Sequence, residues 1–297
     1  MSLGNLNHDR GPPEGLLGNL RGLQRARQQG GCSVGCRSRR TDDARLPWEA
    51  FDRYGGWGGH AFHGTDPGTD RTPVVFVHGN QRDACDWEEH AEFFLKRSYT
   101  GDELWAISFD DGSPTHRAMA SQLDHFVGKV REHAGVEEVS VVAHSLGVTG
   151  VRHWLYDRDR YDWVDTFVGL AGANHGTVLS SWCATAGLTS GTYKMSPFLR
   201  ADYAIREDHP LAKLNEDETP GDVDYYTIRG SHDPLFWRCE RSPELDGAVN
   251  LELPVDHDGV RTDREAIEHV FEWVSGTDPY DLRHHVGLPE SAENAAD

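Results

Sequence analysis

The segment from Val139 to Leu155 constrains the fold more than any other. Val139 to Ala143 is an apolar, β-branched run that passes straight into His144-Ser145-Leu146-Gly147. Val148, Val151 and Leu155 then recur at helical spacing. A strand that turns into a helix with no loop between them needs small residues beside the turn, and Ala143 and Gly147 are small. Such a unit belongs in a sheet whose strands feed helices.

The rest of the chain supplies more such units. Val74–Val77, Leu104–Phe109, Phe167–Ala171, Tyr225–Ile228 and Asn250–Leu253 are short apolar runs with strand composition. Ser113, as N-cap, and Pro114 predict a helix start, with Leu123, Phe126, Val127 and Val130 as its buried stripe. A capping box at Thr262 and Glu265 predicts a last helix carrying Ile267, Val270, Phe271 and Val274. Buried strands alternating with amphipathic helices predict an α/β fold: a mostly parallel central sheet with helices on both faces. A length of 297 residues suits one such domain.

Residues 1–45 are rich in Gly, Arg, Gln and Ser and poor in groups that could form a core, which predicts a disordered extension. The folded domain is expected over 46–280, and residues 281–297 as a flexible acidic tail. Residues 178–222 form an insertion between two strands. Trp182, Leu188, Tyr193, Met195 and Phe198 give it the composition of a partly apolar cap. Trp57, flanked by Gly55, Gly56, Gly58 and Gly59, is expected in a surface loop.

Net charge is -20, with 29 Asp and only 4 Lys. A surface so acidic repels nucleic acid and anionic membranes, and it predicts a salt-adapted source. No stretch has the ~20 apolar residues of a transmembrane helix. No secretory h-region is present, so the chain as written is expected in the cytoplasm, unless its start is misassigned. Five cysteines do not make a disulfide framework. Cys32 and Cys36 are expected to be tail cysteines, and Cys183 with Cys239 is the one bridge the sequence suggests.

Ser145 sits where a G-x-S-x-G nucleophile elbow carries its serine, with Ala143 in the first small position. Acyl transfer from an activated serine also needs two backbone N–H groups aimed at the oxyanion. Leu146 would supply one, and Asn80, in His78-Gly79-Asn80 after the Val74–Val77 strand, the other. The acid and the base follow the serine in chain order. Asp233 and His257 each lie just past a predicted strand, at the end where such sheets hold ligands. His232, His175 and His269 compete for the base, and Asp222, Asp224, Asp256 and Asp258 for the acid, all from weaker positions. No metal or organic cofactor is called for, and oligomeric state is not legible.

From about Pro73 to Val274 the chain resembles the class 2 lipases of the α/β-hydrolase superfamily. The resemblance rests on Pro73–Asn80, Tyr99–Trp105, Val142–Val148, Phe167–Thr177 and Leu214–Gly221. It implies Ser145, Asp233 and His257 as a triad, Asn80 and Leu146 as oxyanion donors, and a lipid ester as substrate. A polyhydroxyalkanoate depolymerase, an esterase for small esters, or a non-catalytic binding protein on the same scaffold are the alternatives.

Overall fold

A computed structural model describes residues 45–50, 54–186, 197–206 and 208–277. Residues 1–44 of the extension expected at 1–45, the tail at 281–297, and Cys32, Cys36, Leu188, Tyr193 and Met195 lie outside the described residues, while Arg45 lies over the Phe62 ring.

Among the described residues, seven strands form one sheet: β1 (Gly55–Gly58), β2 (Val74–Val77), β3 (Leu104–Ser108), β4 (Val139–His144), β5 (Val164–Leu170), β6 (Asp224–Gly230) and β7 (Val249–Leu253). The order across the sheet is β1-β3-β2-β4-β5-β6-β7. β1 is antiparallel to β3, and every other pair is parallel. The helices are α1 (His60–His63), α2 (Glu88–Leu95), α3 (His116–Ala134), α4 (Leu146–Arg158), α5 (Val178–Thr185), α6 (Pro210–Leu214), α7 (Gly259–Thr262) and α8 (Arg264–Ser275).

β2 shows why the core has two layers. Val75 and Val77 join the cluster containing Leu123, Phe126, Val127, Val148 and Val151 from α3 and α4. Phe76 points the other way, stacked on Trp87 and edge-on to Phe94. Phe94 in turn meets Phe271 of α8. Alternate residues of one strand therefore bury against helices on opposite faces. Because β2 and β4 to β7 run parallel, their carboxyl ends, and the loops after them, share one edge of the sheet.

Three local expectations need correcting. The cap of α3 is Thr115, whose side chain accepts from Ala118 N–H at 3.2 Å. Ser113 lies two residues before that cap, and its hydroxyl instead donates to Asn80 Oδ1 at 2.6 Å. Likewise Asp263 caps α8, accepting from Glu265 N–H at 2.9 Å, while Thr262 closes α7. Trp57 is not in a surface loop. It is 1% exposed in β1, stacked on Phe62, and donates its indole N–H to Ala84 O.

Cys183 and Cys239 are free thiols, so the bridge suggested between them is absent. Cys239 turns its sulfur toward the Trp237 carbonyl at 3.7 Å, while Cys183 sits on α5. Cys85 is disulfide-bonded.

In the insertion, the described residues form α5, α6 and two 3-10 turns, Pro197–Leu199 and Tyr203–Ile205. Phe198 stacks on His116 with ring centroids 3.5 Å apart, so this segment lies against the start of α3. Trp182 is 55% exposed.

Candidate active site

Ser145 joins β4 to α4 with φ 55° and ψ -121°. A non-glycine residue rarely holds that conformation, at a cost of about 1–3 kcal/mol that the surrounding packing must offset. The glycines around it show what the turn requires. A Cβ on Gly79 would come within 2.9 Å of Ser145 Cβ, and one on Gly147 within 2.6 Å of the His78 carbonyl. With those side chains missing, the loop after β2 and the first turn of α4 both close on the serine. The N-terminus of α4 meets it there, with backbone dipoles that favour negative charge.

Ser145 Oγ and His257 Nε2 are 2.9 Å apart. On the far side of the ring, His257 Nδ1 is 2.6 Å from Asp233 Oδ2. A carboxylate only accepts, so Nδ1 carries a proton and Nε2 of the neutral ring is left as the acceptor for the serine hydroxyl. Asp233 follows β6, where its Oδ1 also accepts from Leu235 N–H at 2.9 Å. That leaves Oδ2 for the imidazole. Burial works against the charged ring of His257, but the charge and hydrogen bond of Asp233 outweigh it and raise its pKa above the usual range.

Leu146 opens α4 directly after the serine, and Asn80 follows Gly79 in the loop after β2, where Gly79 closes on Ser145. Neither backbone N–H donates a hydrogen bond among the described residues. The Asn80 loop is tied down on each side of that N–H. His78 Nδ1 lies 2.7 Å from Gly79 O, while its Nε2 accepts from Phe109 N–H at 3.0 Å. Gln81, at φ 61°, donates its N–H to Gly112 O.

The competing residues lie in other networks. His175 Nε2 is 2.7 Å from Glu218 Oε1, and His269 stacks on Trp273 of α8. His232 is an exposed side chain in the turn before Asp233. Asp258 is paired with Arg82 at 2.6 Å, and Asp256 accepts from Gly259 N–H at 2.8 Å. Asp222 and Asp224 are exposed at the amino end of β6.

Residues 71–271 match the family Lipase (class 2). The chain belongs to the class 2 lipases.

Two solved structures show the fold that this lipase shares. The mature form of a Bacillus licheniformis lipase is 17% identical, with a TM-score of 0.55 over 71% of this chain and 96% of its own. Aspergillus fumigatus lipase B is 17% identical, with a TM-score of 0.56 over 72% of this chain and 56% of its own. The sheet is thus that of an α/β-hydrolase, and the lipase is a carboxylic-ester hydrolase.

Two further residues tie the segments around Ser145 together in ways the sequence does not mark: His144 fills a variable position of the elbow, and Arg82 belongs to no motif. His144, next to the serine, is 2% exposed and donates Nε2–H to the His257 carbonyl at 2.9 Å. Burial, with His257 and Arg261 nearby, holds its pKa well below the usual range, so it acts as a neutral donor. Arg82 bridges the loop after β2 to Asp258, next to His257. These contacts join segments 113 and 176 residues apart. Only the fold could reveal them.

Proposed function

We propose that the protein hydrolyses lipid esters through Ser145, His257 and Asp233. His257 removes the hydroxyl proton as Ser145 Oγ attacks the acyl carbon. The tetrahedral oxyanion sits between the N–H groups of Asn80 and Leu146. The C–O bond to the alcohol breaks as His257 passes it the proton, leaving an acyl-serine. Water then repeats the sequence and releases the acid. Asp233 keeps the imidazole in the required tautomer and stabilises its charged form.

The observation that supports this reading most is the hydrogen-bonded line Ser145–His257–Asp233, at 2.9 and 2.6 Å. Lipid substrates are supported by membership of the class 2 lipases and by the apolar side chains Trp182 and Phe198 in the insertion.

The test is hydrolysis of p-nitrophenyl esters of graded chain length in high salt. Ser145→Ala is expected to lose at least about 10³-fold in kcat, since a triad without its nucleophile keeps only residual catalysis. Turnover equal to wild type would refute the nucleophile. A rate that peaks on long acyl chains supports a lipase, and one confined to the shortest chains an esterase for small esters.

A further inference from the structure

A second cluster of titratable side chains lies at the opposite end of the sheet from Ser145. Since β1 is antiparallel to β3, His60, just past β1, arrives beside the start of β3. Asp102 is in the 3-10 turn Gly101–Glu103 that leads into β3, and His133 is in the last turn of α3. The residues are 42 and 31 positions apart.

Asp102 Oδ1 has three nitrogens around it. His60 Nδ1 and His60 N–H are each 2.9 Å away, and His133 Nε2 is 3.2 Å away. Two lone pairs on one oxygen do not accommodate three donors well. The other oxygen is held by Gly68 N–H at 3.0 Å, which orients the carboxylate. The Asp102 side chain is 8% exposed, against 38% for His60 and 27% for His133. The cluster therefore has a fixed, buried acid and two imidazoles that reach solvent. One ligating atom from each residue lies within 4.8 Å of the others.

We propose that His60 Nδ1, Asp102 Oδ1 and His133 Nε2 bind a divalent transition metal of the zinc class. Zinc bonds of 2.0–2.2 Å in a tetrahedron put neighbouring ligand atoms about 3.3–3.6 Å apart, slightly beyond the two nitrogen-to-oxygen spacings here and within the 4.8 Å that bounds all three atoms. Two imidazole nitrogens against one carboxylate oxygen favour zinc over calcium or magnesium. Water completes the fourth position. The backbone N–H groups of Gly68 and His60 on the carboxylate, and Trp105 packed edge-on to the His133 ring at 5.2 Å, form the outer support that such sites need. The site lies away from the hydrolytic residues, so its metal fastens α1, the turn before β3 and the end of α3 together. It takes no part in the ester chemistry.

The test uses the full chain, stripped with a chelator, dialysed, and titrated with zinc chloride. Uptake of one zinc per chain is expected, measured by elemental mass spectrometry. The thermal midpoint should rise by about 5–10 °C at zinc a hundredfold above its dissociation constant. His133→Gln and His60→Gln should each lose the zinc and the gain, while turnover of a soluble ester at 25 °C stays unchanged. Both histidines are partly exposed, so the variants should fold. Cobalt(II) added to the stripped wild type should give the visible bands of a tetrahedral site, a readout independent of any variant. No zinc uptake by the wild type, or a midpoint gain that survives in both variants, would overturn the site.

Discussion

At the scale of single residues, the proposed mechanism makes His257 the group that sets the pH dependence. Its pKa is raised in the fold, with Asp233 outweighing burial. As a base it must be neutral, so kcat/KM should fall as pH drops through that raised value. Asp233→Asn removes the charge that raises it. The acid limb of the profile should then move to lower pH, while the rate at pH 7 falls about 10³–10⁴-fold as the tautomer is lost. The stability linkage has the opposite sign. A raised pKa contributes stability that is fully present below the unfolded value of 6.5 and lost as pH rises through the folded value. The stability gap between wild type and Asp233→Asn should therefore be wider at pH 6 than at pH 9 in urea titrations. A gap that widens toward pH 9, with an unmoved acid limb, would show that Asp233 does not govern His257.

At the scale of elements, the turn between β4 and α4 depends on close approach. Gly147→Ala would put a methyl group 2.6 Å from the His78 carbonyl and 3.0 Å from that of Val77. Neither backbone atom can move without disturbing β2. The variant should lose about 1–3 kcal/mol of stability. It should also lose kcat, because the same shift displaces Asn80. Full activity together with full stability would mean that the loop after β2 is not fixed by this contact. The six parallel strands were legible as short stretches of largely apolar or aromatic residues, and the Ser145 turn as a serine set between small residues. β1 was not legible. Three of the four residues of Gly55-Gly56-Trp57-Gly58 are glycines, which disfavour strands, and Gly56 and Gly58 answer to neighbours elsewhere in the chain. A Cβ on Gly56 would meet Ala106 O at 2.1 Å, and one on Gly58 the Trp105 ring at 2.2 Å. The helix starts were misread by one or two residues for a similar reason. Thr115 and Asp263 are themselves cap-forming residue types close to Ser113 and Thr262, and which of the neighbours caps depends on where the fold starts the helix. Asp233 and His257 could be proposed from their positions after strands, whereas His144 and the His60, Asp102 and His133 cluster depend on which loops meet.

At the scale of the whole molecule, a charge of -20 acts on every carboxylate at once. Arginine pairs such as Arg160–Asp124 and Arg200–Asp202 offset part of it locally. Pairs of that kind, partly exposed, are worth about 0–1 kcal/mol each, and salt weakens them. The uncompensated negative charges repel over distances that salt shortens, from a Debye length of about 10 Å at 0.1 M to about 3 Å at 1 M. The two effects oppose each other, and the excess of acids over bases decides the sign. The thermal midpoint should rise as sodium chloride goes from 0.1 to 1 M, and screening alone adds little beyond that. At pH 5 the net negative charge is smaller, so the same salt step should raise the midpoint less. Potassium chloride should match sodium chloride, because screening depends on ionic strength rather than on the cation. A midpoint that is highest in dilute buffer and falls steadily with salt would mean that the ion pairs, not the repulsion, dominate. The acidic surface would then be unrelated to life in salt.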